Sequence, residues 1–378
     1  MKQQEYLGYN SIKKLKLILR KHSPKKIFLV TGKASYEKSG AKKIIESILK
    51  KHNYVRFFDF EENPKIEDIR KGLVIFNKNN CDFVIAVGGG SVMDIAKSIN
   101  SFAANDGKPK DCLTDKKRIS KKGKTLVAIP TTSGSGSEAT RFAVIYIDKT
   151  KYSLDNGFIL PDYAIVDPQF IMNLPNGITA SAGMDALSQG IESYWSINSN
   201  NESKKYAGQA IKLAIKNLAN AVKDNKSSRI AMAKAAHLAG KAINITKTTA
   251  CHAISYPITS YFNVPHGHAV ALTIPSILVY NSNVTEEDLL DKRGAIYVKK
   301  TIIEIVKLLG ASSVDGAIIK INNLMKQIGL TTKLSELGIK TDEDIETIIK
   351  NGFNPGRVNN NPRRLTKEAL MSILINIK

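Results

Sequence analysis

The chain has 378 residues, of which 43% are hydrophobic, and its 56 Lys and Arg against 34 Asp and Glu give a formal net charge of +22. This length allows two domains, and no apolar run reaches the roughly twenty residues of a transmembrane helix, so we expect no membrane partner. The first residues lack a signal-peptide pattern. The three cysteines are scattered and form neither a disulfide framework nor a metal-binding pair. We therefore expect a cytoplasmic globular protein.

The strongly positive charge raises the question of nucleic-acid binding. The lysines occur as pairs spread along the chain, and no basic stretch alternates with aromatic residues as a base-stacking surface would require. We interpret the charge as solvated helix faces and expect no nucleic-acid partner. A positive field would still steer a small anionic substrate towards the protein.

The first part of the chain predicts strands that alternate with helices. Short apolar strands are predicted at 25–32, 54–60, 81–90, 125–130, 143–148 and 163–168. Segments with helical spacing follow the first three of them. Repeated strand–helix units predict a parallel sheet with helices on its faces.

From about Ile178 onward the apolar residues recur at three- and four-residue spacing, which predicts helices. We place the domain boundary at this change, with a dinucleotide-binding α/β domain at 1–180 and an all-helical domain at 181–378. A late segment rich in Asn, Pro and Arg begins at Asn354 and is expected to start as a loop.

Two glycine- and hydroxyl-rich segments follow successive predicted strands. The first is VGGGSVMDIAK, in which three glycines would let a pyrophosphate approach main-chain amides at a helix N-terminus. On its own, it is also compatible with a tight turn. The second, at 131–138, offers hydroxyls and small residues after the next strand. Together they predict a nucleotide at the carboxyl edge of the sheet, without the GxGxxG of a standard Rossmann fold.

The end of the first predicted strand bears on the choice of nucleotide. An acidic residue at such a place commonly binds the ribose 2′-hydroxyl and repels a 2′-phosphate. Here the chain reads Thr31, Gly32, Lys33. The missing carboxylate and the neighbouring lysine favour NADPH, with NADH as the alternative, although Lys33 is also compatible with an ordinary surface lysine.

Asp185 and Gln189 are four residues apart on a predicted helix and so share one face. His252 and His266 lie on later elements. A carboxylate, an amide oxygen and two imidazoles form a set that can bind a divalent metal. The alternative is that Asp185 caps a helix and the histidines are buried structural residues.

The ordered motifs GGGSVMDIAK, PTTSGSGSEAT, LPDYAIVDP, TASAGMDAL, HAISY and PHG resemble the iron-containing (group III) alcohol dehydrogenases over about residues 8–275. The resemblance implies a dinucleotide-binding α/β domain, a helical domain with Fe²⁺ or Zn²⁺ in the cleft, and a homodimer or larger homo-oligomer. It implies Asp185, Gln189, His252 and His266 as metal ligands. It places cofactor contacts at Gly88, Gly89, Gly90, Ser91, Asp94, Thr131, Thr132, Ser135 and Lys151.

Two positions depart from the family pattern. Gln189 stands where the family usually has histidine, and a neutral amide is a weaker ligand. Tyr256 stands where a further histidine is common, so Tyr256, His268 or water becomes the candidate for proton exchange with the product.

The segments GMDALSQGIESYWS, KAINITKTTACHAISYPITSYF, PHGHAVAL and NNPRRLT resemble, more narrowly, the members of that family that reduce phosphonoacetaldehyde to 2-hydroxyethylphosphonate. A phosphonate is an anion that pairs with Arg or Lys. The candidates, each also compatible with ordinary surface charge, are Arg141, Lys247, Arg357, Arg363 and Arg364.

Other functions stay open on sequence grounds. One is a reductase of a different small aldehyde, of the succinic semialdehyde, lactaldehyde or butyraldehyde type. Another is an enzyme like dehydroquinate synthase or glycerol-phosphate dehydrogenase, which the pattern around GMDAL disfavours. The last is a basic nucleic-acid-binding protein on an old enzyme fold.

Overall fold

The structure is a computed structural model that describes residues 3–105, 109–114, 119–148 and 150–378, without the side chains of Cys112 and Thr114. The chain divides into two compact units, Met1–Leu174 and Pro175–Lys378. Among the described residues, none of the helices combines the length and apolar character needed to cross a membrane.

The first unit is built on a six-stranded sheet in which every neighbouring pair of strands is parallel. The order across the sheet is β1-β8-β5-β4-β2-β3, and β6 and β7 form a separate antiparallel hairpin. The strands are β1 (Gln4–Leu7), β2 (Ile27–Thr31), β3 (Tyr54–Phe57), β4 (Phe83–Gly88), β5 (Thr125–Pro130), β6 (Phe142–Ile147), β7 (Thr150–Asp155) and β8 (Tyr163–Val166). The predicted fold class is confirmed, but β1 and β7 were not predicted, because both mix polar with apolar residues and neither is an apolar run.

The helices of this unit cover both faces of the sheet. They are α1 (Lys14–His22), α2 (Ser35–Lys38), α3 (Ala41–Leu49), α4 (Ile66–Lys78), α5 (Gly90–Ala104) and α6 (Pro109–Thr114). Alternate residues of one strand enter two separate cores: Phe28 and Val30 of β2 join one cluster, and Ile27 and Leu29 join the other. A strand buried on both faces reads as a continuous apolar run, which is why the central strands were visible in the sequence.

The second unit is helical throughout its regular structure. Its helices are α7 (Asn176–Trp195), α8 (Asn201–Val222), α9 (Lys226–Thr246), α10 (Ala250–Phe262), α11 (His266–Ala271), α12 (Ile274–Ser282), α13 (Ala295–Leu308), α14 (Val314–Gln327), α15 (Asp342–Gly352), α16 (Pro355–Val358) and α17 (Lys367–Asn376). Helix α7 packs against α8, α9 and α11. It is buried along most of its length from Thr179 to Trp195, so the polar side chains on it lie inside the protein.

Candidate active site

Three potential metal ligands converge in the second unit. Asp185 comes from the middle of α7, His252 from the first turn of α10, and His266 is the first residue of α11. One ligand atom from each residue lies within 4.8 Å of the other two. Asp185 Oδ1 is 3.3 Å from His252 Nε2, and the two imidazole rings meet edge to face with centroids 5.5 Å apart. Three ligand atoms at this spacing can bind one ion.

The chemistry of these atoms fits a cation. Asp185 Oδ1 and His252 Nε2 are shielded from solvent, and neither has a hydrogen-bond partner among the residues that the structure describes. Buried polar atoms without partners cost free energy. A divalent cation between them would satisfy both, so the residues present fit the metal that the sequence predicted.

The electrostatic environment favours the same conclusion. Burial would raise the pKa of Asp185, but the neighbouring His252 and the charge of His266 lower it below its ordinary value. Burial would lower the pKa of His252, but the neighbouring carboxylates of Glu192 and Asp185 raise it to about 10. The site therefore stabilises the negative carboxylate of Asp185 and an additional proton on His252. A bound metal would supply positive charge in place of that proton.

Gln189 lies one turn beyond Asp185 on α7 and is 3% exposed. Its side chain hydrogen-bonds to Asp185 and contributes to the lowered pKa of that carboxyl group. The structure thus brings Gln189 to the three converging residues. Its role as a fourth ligand stays a prediction.

Gly267 explains how His266 reaches Asp185. A Cβ at position 267 would lie 2.0 Å from the Ser181 carbonyl oxygen and 2.9 Å from Asp185 Cβ. Only glycine allows α11 to begin this close to the backbone of α7. Sequence reasoning did not single out Gly267, although its place between His266 and His268 was a usable signal.

The two proton-exchange candidates are placed differently. The Tyr256 ring is half-buried and lies stacked at 6.4 Å from the His266 ring. His268 is buried, and its Nε2–H donates to the Thr331 carbonyl oxygen at 2.7 Å. Burial lowers the pKa of His268 below its ordinary value, against the opposing effect of that hydrogen bond. His268 therefore has a structural partner on its Nε2 side, whereas Tyr256 lies beside a predicted ligand.

In the first unit, the two glycine- and hydroxyl-rich loops touch one another. Thr131 N–H donates to the Gly88 carbonyl oxygen at 3.0 Å. A Cβ at Gly89 would lie 3.2 Å from Thr132 Cγ2, and one at Gly90 would lie 3.1 Å from Ser135 Oγ. The absence of side chains on these glycines therefore lets the loops after β4 and β5 lie against each other.

These loops also fit an anion. Helix α5 begins at Gly90, and within the described ranges no side chain caps its N-terminal amides. In the second loop, Ser133 Oγ is buried and has no hydrogen-bond partner in the described part of the chain. Ser91 Oγ accepts a bond from Asn63 N–H at 3.4 Å. Uncapped amides at a helix N-terminus are suited to a phosphate group.

Asp94 is buried in a polar network under the second loop. Its Oδ1 accepts from Ser137 Oγ at 2.8 Å and its Oδ2 from Val144 N–H at 3.0 Å. Lys97, which sequence reasoning missed, donates from Nζ to Ser137 Oγ at 2.9 Å and to the Thr140 carbonyl oxygen at 2.8 Å. Burial raises the pKa of Asp94 against the opposing charges of Lys97 and Lys151. The network anchors the loop; a direct cofactor contact by Asp94 or Lys151 stays a prediction.

A basic residue of the neighbouring strand lies at the carboxyl end of β2, and the sequence did not reveal it. Arg56 of β3 donates from Nε to Thr31 Oγ1 at 2.8 Å and from Nη2 to the Gly32 carbonyl oxygen at 3.1 Å. Its guanidinium lies 4.8 Å from the Tyr36 ring centroid and 4.4 Å from that of Phe58. Arg56 is thus fixed beside Gly32, while Lys33 is exposed.

Three of the four predicted substrate-binding arginines have protein partners for their side chains. Arg141, in the first unit, pairs with Asp155 at 3.2 Å. Arg363 Nε donates to Asp288 Oδ2 at 2.6 Å. Arg357 is half-buried and donates to the Gly356 carbonyl oxygen at 3.2 Å, and the Arg364 side chain is exposed. Their phosphonate contacts stay predictions.

Lys247 differs from these arginines in its backbone. It follows the last residue of α9 with φ 61° and ψ 174°. This region of conformational space is almost restricted to glycine.

Comparison with known proteins agrees with the site. The family model "Iron-containing alcohol dehydrogenase" matches residues 3–168, and the model of the C-terminal part of that family matches residues 179–377. The NAD-dependent methanol dehydrogenase of Bacillus methanolicus is 30% identical over 375 residues, which are 98% of this chain and 97% of that protein. The phosphonoacetaldehyde reductase of Streptomyces viridochromogenes is 34% identical over 305 residues, 78% of this chain and 75% of that protein.

Solved structures agree as well. The sulfoacetaldehyde reductase from Bifidobacterium kashiwanohense, solved in complex with NAD⁺, superposes with a TM-score of 0.87 at 30% identity, over 99% of this chain and 96% of that one. The predicted family, fold class and enzyme class are confirmed. The chain belongs to the iron-containing alcohol dehydrogenase family and is an NAD(P)- and metal-dependent alcohol dehydrogenase or aldehyde reductase.

Proposed function

We propose that the protein reduces phosphonoacetaldehyde to 2-hydroxyethylphosphonate, with NADPH as the reductant and Fe²⁺ or Zn²⁺ as the metal. We further propose a cytoplasmic homodimer or larger homo-oligomer without a nucleic-acid partner. Relatives that reduce phosphonoacetaldehyde and sulfoacetaldehyde support an aldehyde with an anionic tail. The observation in this chain that carries the proposal is the backbone of Lys247.

Lys247 occupies a conformation that costs a non-glycine residue about 1–3 kcal/mol. Hydrogen bonds maintain it: Lys247 N–H donates to the Ile243 carbonyl oxygen at 2.8 Å, and Thr246 Oγ1 donates to the Lys247 carbonyl oxygen at 2.8 Å. Since glycine would avoid this strain, a lysine here is best explained by a use for its side chain. It lies five residues before His252 in sequence, and an ammonium group pairs with a phosphonate.

At the proposed metal centre, Asp185, His252, His266 and Gln189 would hold the ion. The bound metal supplies Lewis acidity towards a carbonyl oxygen. The near-complete burial of Asp185 and His252 keeps water from competing at these two ligands. Tyr256 is the proposed group for proton exchange with the product alcohol, because His268 Nε2 is already bonded to Thr331.

The dinucleotide, which supplies the hydride, would be held by the first unit. Its phosphates would bind at residues 88–91 and 131–135. Strand β2 lies directly beside β4 in the sheet, so the end of β2 is the natural place for the adenosine ribose. There, Gly32 offers no carboxylate, and Arg56 and Lys33 offer positive charge, which supports NADPH over NADH.

The test is steady-state oxidation of NADPH by the metal-loaded protein, with phosphonoacetaldehyde, sulfoacetaldehyde and butyraldehyde compared. We expect kcat/KM for phosphonoacetaldehyde to exceed that for butyraldehyde by at least about tenfold, since one charge-assisted contact contributes about 1.5–3 kcal/mol. Equal values for the two aldehydes would rule out selection for an anionic tail. Elemental analysis of the purified protein would identify the metal.

A neutral aldehyde or alcohol is the second candidate substrate. The similarity to the methanol dehydrogenase extends over more of this chain than the similarity to the phosphonoacetaldehyde reductase. Turnover of butyraldehyde at or above the rate of phosphonoacetaldehyde would favour this candidate.

A further inference from the structure

Glu192 is a fully buried carboxylate that the sequence did not bring to attention. It lies seven residues after Asp185 on α7, two turns along the same helix face. Its side chain is 0% exposed, and its Oε2 contacts His252 Nδ1. A buried carboxylate needs specific partners, because desolvation of its charge is costly.

The other carboxylate oxygen binds the beginning of α10. Glu192 Oε1 accepts from Thr249 Oγ1 at 2.8 Å, Cys251 N–H at 2.9 Å, Thr249 N–H at 3.2 Å and His252 N–H at 3.3 Å. The residue preceding α10, Thr249, makes no side-chain cap of its own. Glu192 therefore supplies from α7 the acceptor and the negative charge that the N-terminus of α10 needs.

Thr249 makes this arrangement rigid. While its hydroxyl donates to Glu192, the same oxygen accepts from Trp195 Nε1 at 2.9 Å. Trp195 is 1% exposed and ends α7. Contacts from the end of α7 and the beginning of α10 thus fix the carboxylate that faces His252.

We infer that Glu192 is a positioning residue that sets the tautomer and orientation of His252 for metal binding; this inference rests on the proposed metal centre. The amides of α10 can only donate, so the carboxylate acts as an acceptor and Oε2 accepts the proton of His252 Nδ1. When a metal replaces the second ring proton, the lone pair of the neutral ring lies on Nε2, the nitrogen that is 3.3 Å from Asp185 Oδ1. With the opposite tautomer, a proton would occupy the metal-facing nitrogen.

The test is Glu192→Gln, which preserves volume and retains an oxygen for the amides of α10. It places an NH₂ group opposite His252 Nδ1, so the ring must accept at Nδ1 and carry its proton on Nε2. We expect Co²⁺ and Zn²⁺ affinity, measured by titration calorimetry on metal-free protein, to fall about 10- to 100-fold. The melting temperature of each metal-free protein is measured as well, so that affinities are compared at a temperature where variant and wild type are both folded.

The matched control is Asp291→Asn, which alters another buried carboxylate of the second unit, one paired with Arg293. It should leave metal affinity unchanged. Wild-type affinity in Glu192→Gln, with binding lost in Asp185→Ala, would overturn the role of Glu192 while leaving the metal centre intact. Absence of metal binding in the wild type would instead refute the metal centre itself.

A second measurement does not depend on the folding of a variant. Nitrogen-15 NMR of histidine-labelled, Zn²⁺-loaded wild-type protein should show His252 protonated at Nδ1 and bound to the metal through Nε2. Coordination through Nδ1 would overturn the inference.

Discussion

The substitution Lys247→Gly separates strain from function at one residue. Glycine adopts the φ 61°, ψ 174° backbone of this position without penalty, which removes about 1–3 kcal/mol of strain. Glycine also loses more backbone conformational entropy on folding than lysine does, which lowers the free energy of unfolding by about 0.5–1 kcal/mol. The free energy of unfolding should therefore stay the same or rise by up to about 2.5 kcal/mol.

Activity should move in the opposite direction. If the Lys247 ammonium binds the phosphonate, its removal loses a charge-assisted contact of about 1.5–3 kcal/mol. This corresponds to a roughly 10- to 150-fold lower kcat/KM with phosphonoacetaldehyde. Turnover of butyraldehyde, which has no anionic group, should be nearly unchanged.

The assay pairs urea unfolding with steady-state NADPH oxidation for wild type, Lys247→Gly and the control Lys247→Met. The methionine variant retains the strained backbone but has no charge, so it should lose activity with phosphonoacetaldehyde without gaining stability. Wild-type kcat/KM in both variants would refute a substrate-binding role for Lys247. Equal losses with both aldehydes would show a general defect of the site.

Three further predictions concern other parts of the protein. Arg56→Gln should lower kcat/KM with NADPH about tenfold and leave kcat/KM with NADH nearly unchanged, because only NADPH has a 2′-phosphate for Arg56 to bind. Equal losses with both cofactors would refute this contact. Gln189→His should tighten Zn²⁺ binding in calorimetry, and unchanged affinity would exclude position 189 as a ligand. Lys97→Met should destabilise the fold by about 3–5 kcal/mol, because it leaves Asp94 buried without its cation. Burial lowers the pKa of Lys97 to about 8 from 10.5, so the unfolded wild type holds more protons between these pH values. The stability deficit of Lys97→Met in urea unfolding should therefore widen from about pH 8 to 10, and a constant deficit would show that Lys97 does not titrate there.

The parts of the fold that could be predicted are those that a few neighbouring residues in the sequence indicate. Strands β2 and β4 are apolar runs because both of their faces are covered, and the glycines after β4 mark where that strand ends. Strand β1 pairs with β8, more than 150 residues away in the chain, and its four residues carry no local signal. A short edge strand is recognisable only once its partner is in place.

The same distinction applies to the site. Asp185, His252 and His266 were predictable because few residue types bind metals. Glu192 and Arg56 act through partners that are 60 and 24–25 residues away in sequence, respectively. A glutamate in a helix and an arginine in a strand are ordinary residues until folding brings those partners to them.

The contact at Gly267 has a consequence for how the site can vary. Helices α7 and α11 meet there backbone to backbone, so no flexible side chain lies between them to absorb a change in spacing. The separation of Asp185 from His266 is therefore set largely by the dimensions of the main chain and not by how the surrounding core is packed. Substitutions elsewhere in the helical unit can reshape the space around a substrate while this part of the metal site keeps its dimensions.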